Sequence, residues 1–190
     1  MKNNQNLVNL LDLCADLFAF PSEDWCEKYT RLGELAKGEF AEPFSEFSDF
    51  KFQKLLLSPK CDFDEIMSDY INFFDLHSAK FRTSLLAGIW LDQKMFGQKY
   101  DEICKFYNDC GYEISKNCDH LSNLLAFCAI LAENGEFEKF DKFCKFLSWF
   151  SDLRLSLSQN KNLEKFEFIL CFSEFAISKI RSENEALREK

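Results

Sequence analysis

Two adjacent residues, Asp119 and His120, carry the strongest chemical signal in the sequence. They open an apolar run over residues 121–132, so they fall at a helix N-terminus, where the macrodipole favours an anion and disfavours an imidazolium. Asp119 has the chemistry of an N-cap, because its carboxylate can accept the N–H two or three positions on. A mostly neutral His120 beside it offers hydrogen-bonding atoms to an incoming ligand. The plain alternative is a capping aspartate followed by an exposed histidine that does nothing. Neighbouring side chains on a first helical turn diverge by about a quarter turn or more, whereas a catalytic dyad is normally assembled from separate segments. A metal-dependent hydrolase using Asp119, His120 and nearby cysteines is therefore the weaker reading. On these two residues alone the plain alternative is the stronger one.

The nine cysteines stand at 14, 26, 61, 104, 110, 118, 128, 144 and 171. Their number is odd and no Cys-x-x-Cys occurs, so a disulfide framework is not expected and a reducing cytoplasm is the natural home. Cys14, Cys104, Cys128 and Cys144 fall at apolar helix positions, as small buried hydrophobes do. Cys104, Cys110, Cys118 and His120 would be the candidate zinc set, but their spacing matches no ligand pattern, and no metal site or cofactor is expected. Only one other histidine, His77, is present, which leaves little for acid–base chemistry near neutral pH. Phosphate loops, nucleophile elbows and zinc-protease signatures are absent, so the sequence does not read as an enzyme.

The 190 residues suit a single domain, 1–190, with a sizeable core. Six Gly and three Pro against 47% apolar residues leave few tight hairpins and favour an all-α helical bundle of about eight to ten helices. The 23 Phe read as core filler. Net charge of -9 argues against a nucleic-acid surface, which needs clustered Lys and Arg, but attracts a basic peptide at long range. The first twenty residues carry Asp12 and Asp16 within their apolar run, so they do not read as a signal peptide. No apolar run is long enough to span a bilayer.

These side chains need helices to hold them, and periodicity places most. Leu7, Leu10, Leu11, Cys14 and Phe18 form a first stripe that stops at Pro21, and Ser22 is placed to cap a second helix ending near Gly38. A third, less regular helix is expected over residues 39–57. Asp62 and Glu65 suggest a capping box before a helix carrying Ile66, Tyr70, Phe73 and Phe74. A polar connection over 77–83 leads to a helix with Leu85, Leu86, Ile89 and Trp90. Tyr100, Ile103, Cys104 and Tyr107 mark the next, with Gly111 as its C′ residue. The helix opened by Asp119 is apolar around most of its circumference and belongs at the bundle centre. After Gly135 comes a neighbour that closes at Trp149 and Phe150, then a long helix over about 163–180, with frayed charged residues from Arg181 on.

The ordered set of these features resembles the TorD/DmsD/NarJ-type redox enzyme maturation chaperones, over roughly residues 62–152. Asp69-Tyr70-Ile71-Asn72-Phe73-Phe74 resembles that family's Tyr-x-x-Leu-Phe segment, and Arg82-Thr83-Ser84-Leu85-Leu86 sits where the family has a Ser-Val-Tyr type element. Residues 107–111 resemble its Tyr-x-x-x-Gly, and Cys118-Asp119-His120-Leu121 its Glu-Pro-x-Asp-His segment. Residues 125–131 and 146–150 then follow at the expected distances. Lys116 and Asn117 replace the Glu-Pro, the Pro-rich approach to Ser84 is missing, and the first sixty residues match only in being helical.

What the resemblance implies is a cytoplasmic chaperone of the TorD-like type. It would bind the N-terminal, often twin-arginine, signal peptide of a molybdopterin-containing oxidoreductase and hold the apoenzyme until its cofactor is inserted before export. The alternative is a NarJ-like assembly factor for a non-exported respiratory enzyme. The signal-peptide site is expected at Asp119, His120, Tyr70, Phe74, Ser84 and Leu85, without catalytic residues. The partners are then the signal peptide and apo-oxidoreductase, with no nucleic acid and no membrane insertion. The chain is expected as a monomer or a weak, domain-swapped dimer.

Overall fold

The computed structural model describes residues 2–41, 44, 61–76, 83–114 and 117–188. Among them are nine α-helices and no strand. The first, α1 (Lys2–Phe18), meets neither Gly nor Pro and buries Leu7, Leu10, Leu11, Cys14 and Phe18. It ends just before Pro21, which disfavours helical geometry in the residue preceding it. Next, α2 (Trp25–Lys37) starts at Asp24 rather than at the expected Ser22. The Ser22 carbonyl accepts the Trp25 N–H at 2.9 Å, while its hydroxyl bonds the Asp24 carboxylate. This start lets the Trp25 indole donate to the Leu17 carbonyl at 3.0 Å and bury itself.

Asp62 caps α3 (Phe63–Tyr70) as expected, accepting from the N–H groups of Asp64 and Glu65 at 3.0 and 3.2 Å. The helix then widens into a π-turn over Ile71–Leu76. Residues 83–86 run extended into a short α4 (Ala87–Leu91), so the expected helix over Leu85 and Leu86 does not form there. Tertiary partners explain the difference. The Leu85 carbonyl accepts the Leu121 N–H at 2.7 Å and the Ala87 N–H reaches the Asp119 carbonyl at 2.9 Å, giving an antiparallel bridge between Leu86 and His120. These bonds satisfy backbone groups that a local helix would otherwise pair.

The remaining helices are α5 (Gln98–Asp109), α6 (Leu121–Glu133), α7 (Phe137–Phe143), α8 (Phe150–Ser158) and α9 (Glu164–Arg188). Gly111 and Gly135 adopt φ of 85° and 70°, the left-handed conformation that stops a helix at little cost only in glycine. Helix α6 buries Leu121, Leu124, Leu125, Phe127, Cys128 and Leu131, and packs most extensively on α1. It is the central helix that its all-round apolarity predicts. It shares that place with α9, which buries consecutive residues 168–173. Among the fully buried large side chains are Phe18, Phe44, Phe127, Phe140, Phe143, Phe166, Phe168 and Phe172, so the phenylalanines do fill the core.

Three expectations are corrected. The helix after Gly135 closes earlier than Trp149 and Phe150: α7 ends at Phe143, a 3-10 turn covers Cys144–Leu147, and a separate helix, α8, begins at Phe150, held by buried Leu153 and Leu157. Helix α9 does not fray at Arg181 but runs on to Arg188, with Ile180 and Asn184 buried at helical spacing. The cysteines are not all free: Cys26 bonds Cys61, and Cys104 bonds Cys118. An odd count and a missing Cys-x-x-Cys say nothing about thiols brought together from separate elements. Here the Cα atoms stand 5.5 and 5.8 Å apart, inside the range a disulfide spans. The expected helix over 39–57, the connection over 77–83 with His77 and Arg82, and the Lys116 departure fall largely or wholly outside the described residues.

Candidate binding cleft

Asp119 is almost wholly buried, at 1% exposure. Its carboxylate does not cap its own helix. It accepts the Gly88 N–H at 2.9 Å, across 31 residues of chain, at the N-terminal end of α4. The N-cap of α6 is instead His120, whose Nδ1 accepts the Ser122 N–H at 3.3 Å and lies 2.8 Å from the Ser122 hydroxyl. Helix α6 thus begins one residue later than the sequence suggests. The physical reason is the bridge to Leu86, which holds His120 in extended backbone and leaves Asp119 in the turn before it, facing α4.

Burial pushes the Asp119 carboxyl above its usual range, against the opposing hydrogen bonds from the N–H groups of Gly88 and of Asp119 itself. Burial lowers His120 to about 4, so its ring is neutral at physiological pH. With Nδ1 acting as acceptor, the proton sits on Nε2. Asp119 and His120 therefore turn to different partners. The orienting contact that a catalytic acid–imidazole pair needs is not made between them. The zinc set is broken as well, because Cys104 and Cys118 are bonded to each other.

Five of the six residues expected at a site do meet, around one cleft of about 610 Å3. Tyr70 and Phe74 come from α3 and its π-turn, Ser84 and Leu85 from the extended segment, and His120 from the start of α6. Asp119 stands behind the wall, fixing α4 against the loop that presents His120. Tyr70 is anchored by its hydroxyl donating to the Phe18 carbonyl at 3.3 Å and by ring contacts with Phe74 and Phe166. The Ser84 carbonyl accepts the Trp90 indole N–H at 2.8 Å, and Trp90 stacks on Trp149. The Thr83 hydroxyl donates to the Phe73 carbonyl, tying the π-turn to the extended segment.

Sequence reasoning missed several other lining residues, notably Phe20, Asp75, Ile89, Met95 and Asn117. Phe20 and Met95 are 58% and 51% exposed, and large apolar side chains left in water at the mouth of a cavity mark a binding site more than a core. Nothing in local periodicity distinguishes them. Asn117 carries φ of 52°, a left-handed conformation that asparagine tolerates better than most residues; an Asn just before the capping segment was the available signal. A smaller groove of about 430 Å3 between the α7–α8 junction and α9 holds none of the expected residues.

The comparisons agree with this architecture. The family model of the nitrate reductase delta subunit matches residues 37–154, so the chain belongs to that family, the NarJ/TorD-like chaperone family that its segments resemble. It is similar in fold to the crystal structure of an Archaeoglobus fulgidus protein assigned to redox enzyme maturation. That likeness has a TM-score of 0.55 at 18% identity and covers 96% of this chain and 93% of the other. No curated protein matches the chain. Among the described residues no helix is long and apolar enough to cross a membrane.

Proposed function

We propose that the chain is a maturation chaperone whose cleft holds the N-terminal twin-arginine signal peptide of a molybdopterin oxidoreductase apoenzyme while the cofactor is inserted. The observation that carries this reading is the lining itself. Apolar Phe20, Tyr70, Phe74, Leu85 and Ile89 face the polar groups of Ser84, His120, Ser122 and Asn123 across one opening. An extended peptide needs both, a surface for alternate apolar side chains and hydrogen-bonding partners for its backbone.

The magnitudes suit capture and release. Burying on the order of 400 Å2 of apolar peptide surface at about 25 cal/mol per Å2 gives roughly 10 kcal/mol, of which association and ordering costs of about 4 kcal/mol leave about 6. That corresponds to a Kd of tens of micromolar before the electrostatic contribution is added. Net charge of -9 steers the basic n-region of such a peptide toward the protein. The protein works in the cytoplasm on this reading, as a monomer or weak dimer, and without catalysis. The disulfides remove the cysteine-based argument for that compartment, so the location rests on the family. The matched description, a nitrate reductase subunit, favours one second reading: the held segment is the N-terminus of a respiratory enzyme that is not exported.

Calorimetry with a twin-arginine signal peptide tests the proposal. Binding in the micromolar range is expected, with modestly slower association at high salt and near-complete loss when an aspartate is placed in the apolar segment. Binding eliminated by salt alone, with the inserted aspartate harmless, would overturn it.

A further inference from the structure

Among the described residues that line the cleft, Asp75 is the one carboxylate, and no lysine or arginine stands with it. It is exposed and makes no ion pair with any described residue. Its place there depends on the π-turn. In an α-helix each residue turns by about 100°, so Asp75 would stand about 140° away from Tyr70, off the face that Tyr70 and Phe74 present. A helix closed by i to i+5 bonds turns by only about 80° per residue, which returns the fifth residue to within about 40° of the first. Residues 71–76 have that geometry, and Tyr70, Phe74 and Asp75 all line one opening. The carboxylate is close enough to the Tyr70 hydroxyl that its charge adds to burial in raising the Tyr70 pKa.

We infer that Asp75 is a specificity-determining residue of the cleft, pairing with an arginine of the bound segment that lies beside the apolar stretch seated on Phe20, Tyr70 and Phe74. The inference rests on the peptide-binding reading of the cleft. Arginine fits better than lysine: a planar guanidinium meets a carboxylate with two parallel N–H bonds and, being weakly hydrated, loses less water on entering a half-enclosed apolar site. The π-turn is then the device that sets a single negative charge among aromatic rings. Such turns are frequent at functional sites.

The test uses a synthetic peptide with two arginines ahead of an apolar stretch, and versions with each arginine replaced by glutamine, titrated into the full chain. Asp75→Asn should weaken the arginine peptide by about five- to tenfold, leaving thermal unfolding unchanged. One arginine-to-glutamine peptide should lose the same factor on the wild type and nothing further on Asp75→Asn. A third variant, Asp75→Asn combined with Asn72→Asp, keeps the net charge but sets the carboxylate about 160° from Tyr70 on the same turn; it should stay as weak as Asp75→Asn. Unchanged affinity in Asp75→Asn, losses that simply add, or recovery in the third variant would overturn the inference, the last by showing diffuse attraction in place of a pair. If the wild type failed to bind the peptide at all, the peptide reading of the cleft would fall and this assignment with it.

Discussion

The Asp119 carboxylate accepts the Gly88 N–H at 2.9 Å, and the Asp119 carbonyl accepts the N–H of the preceding Ala87 at the same distance. One residue before α6 thereby pins the start of α4. The contact is close enough that a Cβ on Gly88 would sit 3.1 Å from the Asp119 Oδ2 and 2.6 Å from the Lys94 carbonyl oxygen. Glycine at 88 is a condition of the contact, because a backbone carbonyl cannot swing aside as a side chain does.

Asp119→Ala should therefore destabilise the fold by about 1 to 3 kcal/mol, the cost of leaving a buried N–H without an acceptor. Asp119→Asn should retain most of that stability, since an amide oxygen can take the same bond and the site disfavours a charge. Gly88→Ala should lose about 1 to 3 kcal/mol through overpacking. Urea denaturation of the three variants checks these values, and equal losses in Asp119→Ala and Asp119→Asn would show that charge, not the bond, matters.

His120 makes stability depend on pH in a defined window. Its folded pKa is about 4 against an ordinary 6.5, so the unfolded chain takes up the proton first and acid favours unfolding. Its contribution is fully present above about pH 6.5 and is lost as pH falls toward 4, amounting to about 2 kcal/mol between pH 7 and pH 5. The raised pKa of Asp119 acts with the opposite sign, favouring the fold as it protonates. Comparison with His120→Asn, which shares Asp119 and keeps a capping acceptor, isolates the histidine. The wild type should lose about 2 kcal/mol more than the variant on going from pH 7 to pH 5.

The same variant separates capping from recognition. His120→Ala loses the acceptor for the Ser122 N–H and should lower stability by about 0.5 to 2 kcal/mol, an effect that an exposed histidine would not have. His120→Asn restores the cap but not the Nε2 donor. If the imidazole hydrogen-bonds the peptide, both variants should weaken binding by about 1 kcal/mol or more. Calorimetry showing full affinity in His120→Asn would return His120 to a purely structural role.

Reduction should loosen two of the cleft's supports. Cys26 and Cys61 are 35 residues apart and Cys104 and Cys118 are 14 apart, for which loop entropy gives about 4 and 3 kcal/mol. Cys61 directly precedes the cap of α3, and Cys118 directly precedes Asp119. Thiol titration in denaturant should count five thiols without reductant, namely Cys14, Cys110, Cys128, Cys144 and Cys171, and the midpoint in urea should fall after reduction. Nine thiols in the unreduced protein would remove both bonds.

The sequence by itself determined the helical class, the centrality of α6 and the meeting of Tyr70, Phe74, Ser84, Leu85 and His120. Each of these follows from a signal that is local or ordered along the chain: all-round apolarity in residues 121–132, glycines at 111 and 135 that tolerate positive φ, and motif segments in a fixed order. Tertiary structure alone decided what Asp119 bonds, which cysteines pair and where Asp75 points. The Asp119 carboxylate chose a partner 31 residues away over its own helix. Leu85 and Leu86 left helical geometry for the bridge to the Asp119–Leu121 backbone. Asp75 reached the cleft through a turn whose wider pitch no α-period reveals. In each case a contact between distant segments satisfied backbone or side-chain groups better than the local alternative, and that competition cannot be read from one stretch of sequence at a time.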